Sequence, residues 1–158
     1  MIPEGRFREV AGQFATGVVV ITGNDDDGPA GFTAQSFTSV SLDPPLVSIC
    51  RGKEVASWAR IGPSGRFCVN VLAEDQEALS RTFATKEADK FAGIGYDASI
   101  TPAGPVLAGI LAWLACRIRS EHEAGDHLIV VADVDDLGLG EGTRPLIFYR
   151  GGYAGLET

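Results

Sequence analysis

The chain has 158 residues, 45% of them hydrophobic and 22% charged, and its 13 Lys plus Arg against 21 Asp plus Glu give a formal charge of −8. That length supports one hydrophobic core and excludes two separately folded catalytic domains, while the acidic balance repels a phosphate backbone and argues against a nucleic-acid partner. The 20 glycines, roughly twice the usual share, follow no collagen period and point to a turn-rich β fold.

In chain order, Phe7, Val10, Ala11 and Phe14 recur at helical spacing after Pro3 and predict a short helix with one apolar face. The β-branched run Val18-Val19-Val20-Ile21-Thr22 predicts a strand, the polar stretch Asn24-Asp25-Asp26-Asp27-Gly28 a loop, and residues 30–34 the returning strand of a hairpin. Residues 37–42 and 46–50 read as strands around an Asp43-Pro44-Pro45 turn, and residues 55–61 as a helical turn carrying Ser57 and Trp58. In residues 66–72 Phe67, Val69 and Val71 alternate with Cys68 and Asn70, the period of a strand. Residues 75–83 open with acidic side chains and carry Arg81 near their end, as a helix would. Residues 85–105 mix Asp, Gly, Pro and Ser and are expected to form a loop-rich excursion. Residues 111–121, 127–137 and 145–149 return to strand pattern, with a tight hairpin at Glu123-Ala124-Gly125-Asp126. If Ala124-Gly125 is its two-residue loop, His122 and His127 sit opposite each other. Six or seven short antiparallel strands with peripheral helices predict a single domain, residues 1–158, closed as a barrel that hides its edges.

The three cysteines fall inside apolar runs and read as reduced core thiols of a cytoplasmic protein. Met1-Ile2-Pro3-Glu4-Gly5-Arg6 lacks the apolar region of a signal peptide, and the longest apolar run, residues 106–116, is far short of the roughly 20 residues that span a bilayer. No membrane association is expected. G-x-G-x-x-G between strand and helix, G-x-x-x-x-G-K-[ST] and G-x-S-x-G are all absent, so any cofactor site must be built another way.

Four stretches carry candidate chemistry. Gly31-Phe32-Thr33-Ala34-Gln35-Ser36-Phe37-Thr38-Ser39-Val40-Ser41 is dense in uncharged donors that suit a heteroaromatic or anionic ligand, and equally suits an exposed Thr/Ser-rich strand pair. Arg51-Gly52-Lys53 followed by Ser57 offers cations, a hydroxyl and the start of a helical turn to a phosphate, or is an ordinary solvated loop. His127, in Gly125-Asp126-His127, is one of two histidines and can act on a ligand as acid, base or hydrogen-bond partner, or simply sit exposed on a hairpin. With His122 and Asp126 it lacks a further ligand at zinc spacing, so no metal is expected. Phe148-Tyr149-Arg150-Gly151-Gly152-Tyr153 sets glycines between aromatics where a backbone can approach a flat ring, or merely ends a strand.

Together with Phe14-Ala15-Thr16-Gly17-Val18-Val19-Val20-Ile21-Thr22, Ala34-Gln35-Ser36-Phe37-Thr38-Ser39-Val40-Ser41-Leu42-Asp43-Pro44-Pro45-Leu46-Val47, Gly65-Arg66-Phe67-Cys68-Val69-Asn70-Val71-Leu72 and Asp89-Lys90-Phe91-Ala92-Gly93, these stretches stand in an order that resembles the short-chain flavin reductase family. The resemblance covers residues 6–156. Its members are the reductase components of two-component flavin-dependent monooxygenases. The resemblance implies an FMN-binding split barrel, a homodimer, FMN or FAD as flavin, NADH or NADPH as hydride donor, and a separate oxygenase that receives reduced flavin. It implies an NAD(P)H:flavin oxidoreductase of EC 1.5.1 type. Thr33, Ala34, Gln35, Ser36 and Phe37 match the segment that holds the flavin ring, with Gln35 standing where many relatives carry Asn. Cys50, Lys53 and Ser57 match positions along the ribityl and phosphate chain, and Phe91 one at the phosphate and adenine end. His127 matches the nicotinamide-side histidine, and Tyr149, Arg150, Gly151 and Gly152 the pyridine-nucleotide segment. Two other readings use the same flavin residues: a flavoprotein whose fixed flavin reduces another acceptor, and a non-catalytic flavin-binding protein.

Overall fold

The structure, a computed structural model, describes residues 1–86 and 89–157. Helix α1 spans Glu4–Ala11, and strands β1 (Thr16–Gly17), β2 (Val19–Asp25), β3 (Gly28–Ala34), β4 (Thr38–Leu42) and β5 (Pro45–Gly52) follow. Helix α2 (Ala56–Ile61) runs into a 3-10 turn at Gly62–Ser64, then come β6 (Arg66–Val71), α3 (Glu77–Phe83), β7 (Tyr96–Asp97) and β8 (Val106–Leu107). The long hairpin β9 (Ala112–Ala124) and β10 (His127–Leu139) precedes β11 (Ile147–Tyr149) and β12 (Gly152–Ala154).

Seven strands form one antiparallel sheet in the order β3-β2-β6-β9-β10-β5-β4. This is the expected strand number, but the sheet does not close as the continuous ladder a complete barrel requires. Its two ends, β3 and β4, are consecutive in the chain, and β3 approaches β5 across a split. There Ser36 bridges: the Cys50 N–H donates to Ser36 Oγ at 2.8 Å, and Ser36 Oγ donates to the Cys50 carbonyl at 3.1 Å. The β4–β5 register runs from Leu42↔Pro45 up to Thr38↔Ser48, so this hydroxyl satisfies the β5 backbone just past the point where β4 has left it.

Strand alternation sorts the core into two layers. Val19, Ile21, Phe67, Val69 and Val130 point into the barrel with Phe32, Ile49, Trp58 and Ile61. Val18, Val20, Cys68, Ala115 and Leu72 point outward, where Phe83, Phe91, Val106, Leu107 and Ile110 cover them. The middles of the central strands β2 and β6 are therefore mostly apolar on both faces, because both faces are buried, with Thr22 and Asn70 the polar exceptions. The predicted alternation in residues 66–72 is real, yet neither of its sides is solvent.

The 85–105 region is accordingly more than the loop predicted for it. Its described part carries β7, which pairs with β8, and it roofs the outer core. A buried network pins that roof. Asn70 Nδ2 donates to the Val20 carbonyl (3.2 Å) and to Thr22 Oγ1 (3.1 Å), Asn70 Oδ1 accepts from the Leu107 N–H (2.9 Å), and Thr22 Oγ1 donates to the Pro105 carbonyl (2.7 Å). Both the amide nitrogen and the amide oxygen of Asn70 have partners, as burial demands.

Two further expectations change. The loop predicted over residues 24–28 shrinks to Asp26-Asp27, since the ladder extends to Asp25↔Gly28. The reason is chemical: the Asp25 carboxylate accepts the Asp27 N–H at 2.9 Å and holds Arg60 of α2 through two bonds of 2.7 and 2.8 Å. The last hairpin turns on Gly125-Asp126, one residue later than Ala124-Gly125, because Gly125 adopts the left-handed conformation at φ +66°. The register then sets His127 opposite Ala124, and His122 opposite Ile129.

Candidate functional site

A cavity of about 670 Å³ opens between the β9–β10 turn, the end of β5, α2, β3 and the segment after α3. Its apolar wall is Phe32, Val55 and Phe83, and its polar groups are Thr33, Lys53, Glu54, Ser57, Thr85, Lys86, Lys90, Asp126 and His127. The chain has three lysines, and all three line this one cavity. None of the arginines does. In a protein of charge −8, three lysines against the lining carboxylates Glu54 and Asp126 leave this cavity locally positive, which suits an anion.

Local chemistry sets each of these side chains. Thr33 Oγ1 donates to the Ser80 carbonyl at 2.6 Å, and Ser80 Oγ pairs with the Tyr153 hydroxyl at 2.8 Å, so the β3 wall is tied through α3 to β12. Ser57 Oγ donates to the Gly31 carbonyl at 2.9 Å. Lys90 Nζ donates to that same carbonyl at 3.0 Å, to the Phe83 carbonyl at 3.2 Å and to Ser57 Oγ at 3.4 Å. Burial lowers the Lys90 pKa. Lys53 lies further out, its ammonium 3.6 Å from Glu123 and its N–H bonded to the Asp126 carbonyl at 3.0 Å.

His127 is held from two sides. Its backbone faces Ala124 and Gly52 in the ladder, and its Nδ1 lies 2.7 Å from Asp126 Oδ1. Adjacent residues on a regular strand point to opposite faces, but Asp126 belongs to the turn and escapes that rule. The hydrogen bond and charge of His127 lower the Asp126 pKa. With Nδ1 engaged, Nε2 is the ring nitrogen left for a ligand.

The structure thus gathers Thr33, Lys53, Ser57 and His127 around one space. Ala34, Gln35, Ser36, Phe37 and Cys50 do not line it. They follow Thr33 along the split, with Ala34 buried, Ser36, Phe37 and Cys50 half-buried and Gln35 exposed. Phe91 is packed in the outer core edge-on to Phe83 and Tyr96, and its neighbour Lys90 is the residue that reaches the cavity. Tyr149, Arg150, Gly151 and Gly152 form the β11–β12 turn in a different sheet, and none of them lines the cavity. Arg150 and Gly151 both have positive φ, +50° and +74°, the two-residue hairpin geometry that matches strand twist. The Arg150 guanidinium stacks 4.9 Å from the Tyr149 ring and donates to Gln13 at 3.0 Å. Among the predicted cysteines, Cys68 and Cys116 are pushed up to about 12 by burial, which silences them as nucleophiles. Among the described residues no cluster of His, Cys, Asp and Glu is disposed to hold a metal.

Sequence reasoning passed over Lys86 and Lys90. The signal for the lysines was available in their scarcity: a chain with ten arginines that keeps its three lysines for one wall has sorted its cations by chemistry.

The donor set fits a phosphorylated aromatic ligand. An apolar wall of two phenylalanines and a valine accepts a ring system, and hydroxyls with lysines accept an anionic tail. Comparison with known proteins agrees. The flavin reductase like domain model matches residues 11–157. The reductase subunit HsaB of a flavin-dependent monooxygenase from Rhodococcus jostii (strain RHA1) is 50% identical over 153 residues, covering 96% of this chain and 77% of the relative. The crystal structure of nitrilotriacetate monooxygenase component B from Mycobacterium thermoresistibile superposes with a TM-score of 0.92 at 46% identity, over 98% of this chain and 87% of that one. The NADH:FAD oxidoreductase SgcE6 of Streptomyces globisporus C-1027, in complex with NAD and FAD fragments, superposes with a TM-score of 0.89 at 37% identity, over 95% and 90% of the two chains. Sequence, split seven-stranded sheet and cationic cavity converge, and the chain belongs to the flavin reductase like domain family.

Proposed function

We propose that this protein is an NAD(P)H:flavin oxidoreductase of EC 1.5.1 type, a single domain that reduces FMN or FAD with NADH or NADPH and supplies the reduced flavin to a separate oxygenase. The observation that carries the reading is the cavity in which all three lysines, Ser57 and the Asp126-bound His127 face one space, within a chain whose relatives are named as flavin reductases and monooxygenase reductase subunits.

The flavin, when bound, supplies the acceptor for the hydride of the nicotinamide. The chain's own residues bind and orient. Lys53, Lys86 and Lys90 provide positive potential for the flavin phosphate, and Ser57 a hydroxyl beside them. Phe32 and Phe83 give the ring an apolar wall that excludes water. Thr33, Ala34, Gln35, Ser36 and Phe37 offer backbone donors to the ring edge along the split, and Cys50 lies beside them on β5. Phe91 supports that wall from behind through Phe83. His127 presents Nε2 to the nicotinamide and shortens the hydride path by orientation. Tyr149, Arg150, Gly151 and Gly152 take the nucleotide, and their distance from the cavity lining within one chain supports a homodimer in which two copies complete the site. The free cysteines and the lack, among the described residues, of any helix long and apolar enough to cross a membrane support a cytoplasmic location.

Oxidation of NADH and NADPH measured in parallel with FMN, FAD and riboflavin tests the reading. The expected result is nicotinamide oxidation that saturates with added flavin, by a protein left colourless after desalting. Tight coloured flavin after desalting favours the fixed-flavin alternative. No oxidation with any of the three flavins overturns the proposal.

A further inference from the structure

Ser57 is matched to the flavin phosphate, yet its hydroxyl is already committed. It donates its one proton to the Gly31 carbonyl at 2.9 Å and accepts from Lys90 Nζ at 3.4 Å. A hydroxyl has a single proton, so in this arrangement it has none for a phosphate. The Gly31 carbonyl, however, is served twice, by Ser57 and by Lys90 Nζ at 3.0 Å. Either donor alone prevents the penalty of leaving the carbonyl of the buried Gly31 without a partner.

We infer that Lys90 is a positioning residue that frees Ser57: by holding the Gly31 carbonyl itself, Lys90 lets the Ser57 hydroxyl rotate its proton onto an incoming phosphate at no cost to β3. The inference rests on the reading of this cavity as the flavin site.

Three features of the geometry support it. All three acceptors of Lys90 are uncharged: two main-chain carbonyls and one hydroxyl. Among the described residues no carboxylate accepts from its ammonium, and a positive charge next to Ser57 favours an anion at that hydroxyl. The lowered Lys90 pKa reflects the desolvation of that ammonium. Finally, the acceptors come from three elements, Gly31 in β3, Ser57 in α2 and Phe83 at the end of α3. Lys90 thus fixes the wall against which the hydroxyl turns, and stays in place after Ser57 lets go.

The test is a double-mutant cycle on the whole protein, read as dissociation constants for FMN, FAD and riboflavin, with thermal melts as a check on folding. Ser57→Ala in the parent chain is expected to weaken FMN and FAD by about tenfold, the size of one charge-assisted hydrogen bond, and to leave riboflavin, which has no phosphate, unchanged. In a Lys90→Met background the Gly31 carbonyl has only Ser57, the hydroxyl stays captured, and adding Ser57→Ala is expected to cost nothing more. Lys90→Gln removes the charge but keeps an N–H for Gly31, so the Ser57→Ala loss should reappear in that background, also where Lys90→Met folds poorly. Equal Ser57→Ala losses in the parent and Lys90→Met chains, or no loss in the Lys90→Gln chain, overturn the inference. If Ser57→Ala moves no flavin's affinity in the parent chain, the placement of flavin in this cavity fails with it, a different result from equal losses.

Discussion

His127 and Asp126 show how much a single hydrogen bond can decide. The imidazole is half exposed and would sample both tautomers and several rotamers if left alone. The 2.7 Å contact to Asp126 engages Nδ1 and leaves Nε2 for the nicotinamide proposed above. Because the pair is open to solvent, its strength is modest. Asp126→Asn is therefore expected to lower kcat/KM for NADH by about two- to fivefold, His127→Ala by a larger factor, and neither to change flavin affinity. Stopped-flow measurement of flavin reduction against NADH concentration checks both. An unchanged kcat/KM in His127→Ala removes the histidine from the site. Sequence spacing alone pointed away from this contact, since neighbours on a strand face opposite ways. The missing information was the turn position: one residue of slip, set by the left-handed Gly125, moves Asp126 off the strand and makes the bond possible. Lys90 was overlooked for a related reason. Its neighbour Phe91 looked like the binding residue, but which of two adjacent side chains faces the core depends on the tertiary contact of Phe91 with Phe83.

Secondary elements owe their placement to buried polar ties that hydrophobic periodicity does not reveal. The strands of the main sheet were legible because apolar alternation survives even where both faces are buried. The roof over residues 95–110 was not, since its composition is that of a loop and its order comes from Asn70, far away in the chain. Asn70 is wholly buried, and Asn70→Ala would strand the Leu107 N–H and loosen Thr22 and the Val20 carbonyl. A loss of about 2–4 kcal/mol is expected from unpaired groups of this kind, measured by urea unfolding, with amide protection lost first around Val106 and Leu107. The tie at the other end is ionic. Arg60 holds the Asp25 carboxyl down to about 2, against an ordinary 3.8. A depressed carboxyl stabilises the fold above its unfolded value, and that contribution disappears as pH falls through the folded one. Asp25→Asn should thus lower Tm by a constant amount above pH 3.8 and by progressively less as the pH drops through about 2. A difference in Tm that persisted below that range would mean that Asp25 acts through something other than its charge.

At the scale of the molecule, the unexplained element is α1. Its apolar face was legible in the sequence, Phe7, Val10, Ala11 and Phe14, yet no residue of the helix is buried, and Phe7 and Phe14 are 64% and 79% exposed. An eight-residue helix is marginal in water without packing. What holds this one to its own chain is polar: the Arg150 N–H donates to the Gly12 carbonyl at 3.0 Å, and the Arg150 guanidinium to Gln13. The same Arg150 forms the turn proposed to take the nucleotide. A second copy laid on the α1 face would bury the two phenylalanines and fix that turn at the junction between protomers, which is where a site completed by two chains needs it. Sedimentation should then give twice the 16.6 kDa of one chain, and Phe7→Ser with Phe14→Ser should shift it toward the single-chain mass. NADH oxidation should fall in parallel, and recover as protein concentration drives the variant back to a dimer. A variant that sediments as the parent does would place the interface elsewhere. A monomeric variant with full activity at every concentration would show that one chain carries the whole site.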